Sequence, residues 1–474
     1  MLGLFGSLNM GRRSLQAQQQ SLEVVGHNLA NASNPAYARQ RARVETSTTL
    51  PSNIGIQGTG VNVTMIEQIR SSLIDRQVAT EVSTAAYWEN RQSTLTSMEG
   101  ALGQEIDRHA SGAEGAAAAL GIGGQQGIAE GIQKFFAALQ SVSTDPTSMA
   151  ERQILLQQSA ALAEKFNNTS DRLVSLNTGV NDALSDHVSQ ANTLLGSIAR
   201  LNDQITTAEV VTTGKANDLR DLRQQKVEEL SELLRAETTE SATGAIDVSV
   251  GGVLLVSANS QFETLTTHDP GDGQLVLRAS GGTVITTPGG NIQGDIDTRD
   301  GTLATLRRDI DTLASELISQ VNSIHSTGYG LSGGTGQDFF TGTGAGDIGV
   351  NTVLTNNPGS IQASAENGAI GNNEIVLRLS QLADAPQSAL SNQTFSESFS
   401  RTVSGLGQEL ANANAQVSDN AAVKSMLLRQ RDSLSGVSVD EEMTDLVKFQ
   451  RAYQASAKFI NTIDEMLQTI LSLK

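Results

Sequence analysis

The 474-residue chain has no cysteine, only seven prolines and one tryptophan, and aromatic residues make up just 3% of it. Without cysteine there is no disulfide, no thiolate ligand and no thiol nucleophile; this fits an extracellular bacterial protein without requiring one. Scarce aromatics beside 38% apolar residues and 45 glycines argue for thin helical rods and small polar β units rather than one thick aromatic interior. Positive charge is also short. With 32 basic against 51 acidic side chains the net charge is −19, which repels a phosphate backbone and excludes nucleic acid as a natural partner. No stretch approaches the roughly 18 consecutive apolar residues of a membrane span, so no membrane insertion is expected. The segment from Met1 lacks the basic head, apolar core and small-residue cleavage site of a secretory signal, so any export uses a route that removes no such peptide.

Catalytic signatures are missing too. His27, His109, His187, His268 and His325 are scattered, with no HExxH or other paired-ligand spacing. His268, Asp269 and Asp272 surround Pro270-Gly271 and read as a polar turn, and Asp295, Asp297 and Asp300 read as turn and cap residues before a helix from 299 rather than a calcium site. The run Gly342-Thr343-Gly344-Ala345-Gly346 lacks the Lys-Ser/Thr of a phosphate loop. No catalytic, cofactor or metal residue is assigned, and an enzyme is not expected.

What the chain does have is a pair of amphipathic ends. Leu8, Leu15, Leu22 and Leu29 recur at intervals of seven, beside a row of Leu4, Gly11, Gln18, Val25 and Ala32, until Ser33-Asn34-Pro35 stops the helix. At the other end Val439, Leu446, Tyr453, Ile460 and Leu467 repeat at seven, with Phe449, Ser456, Ile463 and Ile470 offset by three. Asp440, Glu441 and Glu442 occupy the opening turn, where the helix dipole favours negative charge, and Ser438 with Glu441 matches a capping box. Each large side chain moved out of water contributes roughly 1.5–3 kcal/mol, so these stripes are expected to pack on each other and on neighbouring subunits. The residues assigned to that assembly interface are Leu8, Leu15, Leu22, Val25, Leu29, Leu446, Phe449, Tyr453, Ile460, Ile463 and Leu467.

Between the ends, three-and-four apolar spacing predicts long helices from about 66 to 103, 129 to 143, 147 to 208 (one helix, or two joined near Gly179), 217 to 235, 299 to 324 and 399 to 435. Residues 110–128, rich in Ala and Gly, read as a hinge or loop. The period changes to two near 237, predicting an inserted β unit. The expected fold is mainly α with inserted β: a long-helix rod domain with paired terminal helices and a small outer β domain. The expected divisions are a 1–50 N-terminal axial region, a helical rod over 51–236 and 293–436 interrupted by the β insertion at 237–292, and a 437–474 C-terminal axial helix.

The two ends carry more than periodicity. Leu8-Asn9-Met10-Gly11 through His27-Asn28-Leu29-Ala30-Asn31-Ala32-Ser33-Asn34-Pro35-Ala36-Tyr37-Ala38-Arg39-Gln40, and Ser435-Gly436-Val437-Ser438-Val439-Asp440-Glu441-Glu442-Met443 through Lys448-Phe449-Gln450-Arg451-Ala452-Tyr453, resemble the terminal motifs of the bacterial flagellar axial proteins, the rod, hook and hook-associated subunits. Asn217-Asp218-Leu219-Arg220-Asp221-Leu222-Arg223 resembles a mid-chain segment of the hook-associated branch; Ala36 stands where the family commonly has Gly, and Arg223-Gln224 where it has Arg-Asp. The resemblance implies a secreted structural subunit of the flagellum at the hook-filament junction. Its implied partners are copies of itself in a ring, the hook protein, the next hook-associated junction protein and an export chaperone holding the C-terminal segment. It also implies type III export and terminal regions that order only on assembly. Another axial subunit, of hook or distal rod, is the nearest alternative; a secreted enzyme or adhesin mounted on a helical stalk is a more remote one.

Overall fold

The structure is a computed structural model that describes residues 3–52, 55–103, 127–211, 214–271 and 273–472. It is mainly helical with small inserted sheets. Helix α1 (Leu4–Ala30) leads through a turn into strands β1 (Gln40–Thr46), β2 (Leu50–Ser52), β3 (Gly55–Gln57) and β4 (Val61–Gln68). These form an arm: β1 pairs antiparallel with β4, Gln40 opposite Gln68, with a bulge between Arg43 and Val44, and β2 pairs with β3 at the tip. The strand structure thus begins at residue 40, inside the segment expected to belong to the axial helix region.

Helices α2 (Ser72–Ala101), α3 (Ile128–Thr144), α4 (Met149–Val211) and α5 (Asn217–Leu233) follow. The expected Ala/Gly hinge at 110–128 falls almost wholly outside the described residues. α3 stops at Asp145-Pro146, where proline cannot continue the ladder. α4 is one uninterrupted helix through Gly179; its 63 residues extend about 95 Å.

Next come β5 (Glu237–Glu240), β6 (Ile246–Val250), β7 (Val253–Ser257) and β8 (Ser260–Gln261), an antiparallel sheet in sequential order, and the hairpin β9 (Leu265–His268) with β10 (Val276–Ala279). Beyond β10, Val284 forms a single antiparallel bridge with Arg278. α6 (Gly290–Asp297) runs through a π-helical turn, Thr298–Leu303, into α7 (Ala304–His325). Asp295 and Asp297 therefore lie inside a helix and Asp300 within the π turn, not before a helix from 299. Asp295 accepts from Asn90 Nδ2 at 3.0 Å and lies 2.7 Å from His187 Nδ1, Asp297 accepts from the Tyr87 hydroxyl at 3.0 Å, and Asp300 pairs with buried Arg299 at 2.7 Å. The Asp295 and Asp297 carboxylates fix helix packing, which the turn-and-cap reading missed. Short elements β11 (Phe340–Thr341), β12 (Gly349–Val350), α8 (Thr352–Asn356) and α9 (Glu374–Gln381) precede the long α10 (Phe395–Ser435) and α11 (Val439–Ser472). α10 opens on a full capping box, Thr394 with Glu397.

Two main cores lie along α4. The first packs α3, α7, α9, the end of α2 and the start of α10 around its N-terminal half, and collects Phe135, Phe136, Phe166, Phe339, Phe340, Phe395 and Phe399. Seven of the chain's eleven phenylalanines are pooled in this one place, so the aromatic-poor composition coexists with one aromatic-rich core. The second packs Leu184, Val188, Leu195 and Ile198 of α4 against Val227 and Leu230 of α5, Val248, Val250, Leu255, Leu265 and Leu277 of the strands, and Ile292 of α6. The β unit therefore shares a core with three helices. A small third cluster, Ile74, Val78 and Val82 with Leu427 and Leu428, joins α2 to the far end of α10.

Candidate functional site

The ends of the chain meet. α1 and α11 run antiparallel: Gly11 faces Ile460 and Phe459, Ser14 Oγ lies 2.9 Å from Ser456 Oγ, and Asn28 Nδ2 donates to Glu442 Oε2 at 3.0 Å. A Cβ on Gly11 would sit 2.8 Å from Ile460 Cγ1, so glycine is what lets the two backbones approach here. Of the assigned interface residues, Val25 and Ile463 are buried, while Leu8, Leu15, Leu22, Leu29, Leu446, Phe449, Tyr453, Ile460 and Leu467 are half-buried. The buried stripe of α1 is made instead by Gly11, Ala17, Ser21, Val24, Val25 and Asn28. Small side chains form the floor and the leucine row flanks it, because the arm also packs on α1: Arg13 donates to Ser47 Oγ, and Gly60 lies against Met10.

Large apolar side chains remain uncovered on the outside of the pair. Val439, Met443 and Val447, four residues apart, are 51%, 49% and 43% exposed. Met466 and Ile470, also four apart, are uncovered further along α11, Phe459 is partly covered by Gly11, and Phe5 on α1 is 72% exposed. The heptad rows included Val439 and Ile470 but missed Met443, Val447 and Met466; i, i+4 steps onward from Val439 and back from Ile470 would have found them.

Where the pair joins the body, three segments distant in sequence meet in a polar joint. The Asn28 side chain, 1% exposed, donates to Gln40 O (2.9 Å) and Glu442, and accepts from Gln40 N (3.0 Å) and the Tyr37 hydroxyl (2.7 Å). Arg39 forms ion pairs with Glu442 at 2.6 Å and Glu441 at 2.7 Å, and its backbone N–H donates to Ser435 O at 2.8 Å. Burial works against its charge, but the two glutamates outweigh that cost. Glu441 thus serves Arg39 as well as the helix start, where its N–H reaches Ser438 Oγ only at 3.5 Å.

The first turn of α5 closes the joint. Asp221 accepts from Ala38 N at 3.2 Å and from Arg70 Nη1 at 2.8 Å; Asp218 accepts from Gln40 Nε2 at 2.8 Å; Asn217 donates to Ile66 O at 3.0 Å, and its carbonyl accepts from Gln68 Nε2 at 2.8 Å. Arg70 also pairs with Asp75 of α2 at 2.9 Å. Burial pushes the Asp221 carboxyl up to about 6 despite Arg70, and burial together with Asp218, Asp221 and Glu442 raises the Tyr37 phenol, which stays the donor. The sequence signals here were the three motifs themselves; the two terminal ones were expected to pack together, but nothing in the spacing revealed that the mid-chain segment joins them.

Among the described residues no three His, Asp or Glu side chains could hold a metal together. Asp269 accepts from the N–H groups of Gly271 and Gly273, forming the turn that Pro270-Gly271 announces; Asp272 and His109 lie outside the described residues. Among the described residues no helix is long and apolar enough to cross a membrane.

Residues 117–340 match the family model described as the flagellar hook-associated protein FlgK helical domain, and 430–473 match the flagellar basal body rod FlgEFG protein C-terminal model. Flagellar hook-associated protein 1 of Bacillus subtilis is 26% identical, with 100% of this chain and 99% of that protein covered. Its counterparts in Salmonella typhimurium and Escherichia coli K12 are 22% and 21% identical, each match covering 98% of this chain and 99% of the relative. The solved flagellar hook junction protein FlgK from Burkholderia pseudomallei shares the fold, with a TM-score of 0.64 at 15% identity over 76% of this chain and 100% of that one.

Proposed function

We infer that this chain, which belongs to the FlgK family of flagellar hook-associated proteins, is a structural subunit of the bacterial flagellum at the hook-filament junction. The observation that carries the inference is the antiparallel pairing of its two ends with apolar patches left facing outward. Such patches cost free energy in water and gain it when an adjoining subunit covers them. The work done is binding work, and the protein is not an enzyme. Its neighbours are copies of itself in a ring, the hook protein on one side and the next hook-associated junction protein on the other; before assembly an export chaperone holds the C-terminal segment, and the chain is secreted through the type III route.

The interface residues are the half-buried rows Leu8, Leu15, Leu22, Leu29, Leu446, Phe449, Tyr453, Ile460 and Leu467 with Val25 and Ile463, since a seam residue can touch its intrachain partner and a neighbour together. The match over 117–340 favours the hook-associated branch over a rod or hook subunit, whose C-terminal model matches only residues 430–473. The test is complementation of a flagellated strain lacking its own junction protein, with electron microscopy of isolated hook-filament structures. The wild-type chain restores filaments and is found at the junction; Ile460→Asp or Ile463→Asp loses them while circular dichroism shows an intact thermal transition. Normal motility of both variants would refute the interface, and failure of the wild-type chain would refute the junction role.

A further inference from the structure

The first turn of α5 lies outside the apolar seam, yet it touches both strands of the arm and the linker that enters α2. We propose that Asn217, Asp218 and Asp221 form the socket that fixes the angle of the paired ends on the helical body, with Asp221 as its principal positioning residue. The proposal rests on the reading of the ends as polymerising segments.

One carboxylate ties entry to exit. Asp221 Oδ2 accepts from the backbone N–H of Ala38, just before β1, while Oδ1 accepts from Arg70, just after β4. Arg70 reaches on to Asp75 in the opening turn of α2. Asn217 holds the second strand through Ile66 O and Gln68 Nε2, and Asp218 holds the first through Gln40 Nε2. The base of the arm is thus gripped on both strands by a single helical turn. The contacts at Ala38 N, Ile66 O and Asn217 O involve main chain, so they orient the backbone itself rather than the tips of flexible side chains.

The socket is rigid on its body side. Val227 and Leu230 anchor α5 in the second core, and Glu228 pairs with Arg431 of α10 at 2.7 Å. Asn217 and Asp221 are 6% and 5% exposed. Buried polar groups are costly unless their partners sit in good geometry, so tilting the arm away strands several of them at once. The arrangement therefore admits one orientation of the ends.

Filament attachment is compared in a strain lacking its own junction protein, using chains that also carry Ser14→Cys and Ser456→Cys as a reporter of end pairing. Complementation by this doubly substituted parent tests the flagellar reading alone, and its failure overturns that reading and this proposal with it. With the parent active, Asn217→Ala with Asp221→Ala is expected to lose filaments, while the disulfide between positions 14 and 456 still forms and the thermal transition of the purified chain stays as in the parent. Asp221→Asn alone, which keeps an oxygen for the Ala38 N–H, restores filaments at least in part. The socket is disproved if the alanine pair keeps its filaments, if the cross-link or the thermal transition is lost along with them, or if Asp221→Asn fails as completely as alanine.

Discussion

Gly11 and Gly26 sit on the same helix and predict opposite behaviour. Gly26 has open space around its Cβ position, so Gly26→Ala should stabilise α1 by about 0.5–1 kcal/mol through helix propensity. Gly11→Val should instead push Ile460 and Phe459 away and slow formation of a Ser14→Cys/Ser456→Cys disulfide, measured by non-reducing electrophoresis. His325 gives a pH dependence. It is fully buried, with Nδ1 2.7 Å from Gln337 O and Nε2 accepting from Gln362 N at 3.0 Å, and burial lowers its pKa from 6.5 to about 4. The folded state keeps this ring neutral while the unfolded chain takes up a proton, so its contribution is present above about pH 6.5 and is lost as pH falls toward 4. The loss amounts to roughly 3 kcal/mol. Chemical denaturation at pH 7 and pH 4.5 should show it, with a smaller difference in His325→Gln.

At the scale of elements, periodicity located the long helices well because each presents one apolar face to a core, as Leu155, Leu162, Phe166 and Leu173 do on α4. Whether that helix breaks near Gly179 could not be decided from composition; the structure carries it straight through, with Gly179 exposed and its Cβ position open. Gly179→Ala should therefore raise stability by about 1 kcal/mol, read from thermal unfolding, whereas a broken helix would give no gain. Periodicity failed where local chemistry ruled: α6 begins in the glycine-rich stretch at Gly290, and its carboxylates serve neighbouring helices. At the site, the heptads identified which helices pair, but the depth of each residue depended on the arm packing against α1, a contact between segments whose sequence pattern is silent about it.

For the molecule as a whole, the consequence of the shared second core is that the β unit is not a detachable ornament. Deleting 237–289 would uncover Leu184, Val188, Leu195, Ile198, Val227 and Leu230, and the expected outcome is aggregation and loss of part of the calorimetric unfolding enthalpy. A deletion variant with an unchanged melting profile would show that the helices hold without the sheet. The polar joint has a different reach. Glu442 comes 414 positions after Asn28, its hydrogen-bond partner. Loop closure across such a span follows nearly everything else in time. Whichever end leads, a chain threaded through a narrow passage cannot close this clasp until both Asn28 and Glu442 are through, so readiness to polymerise is withheld from every molecule still short of that point.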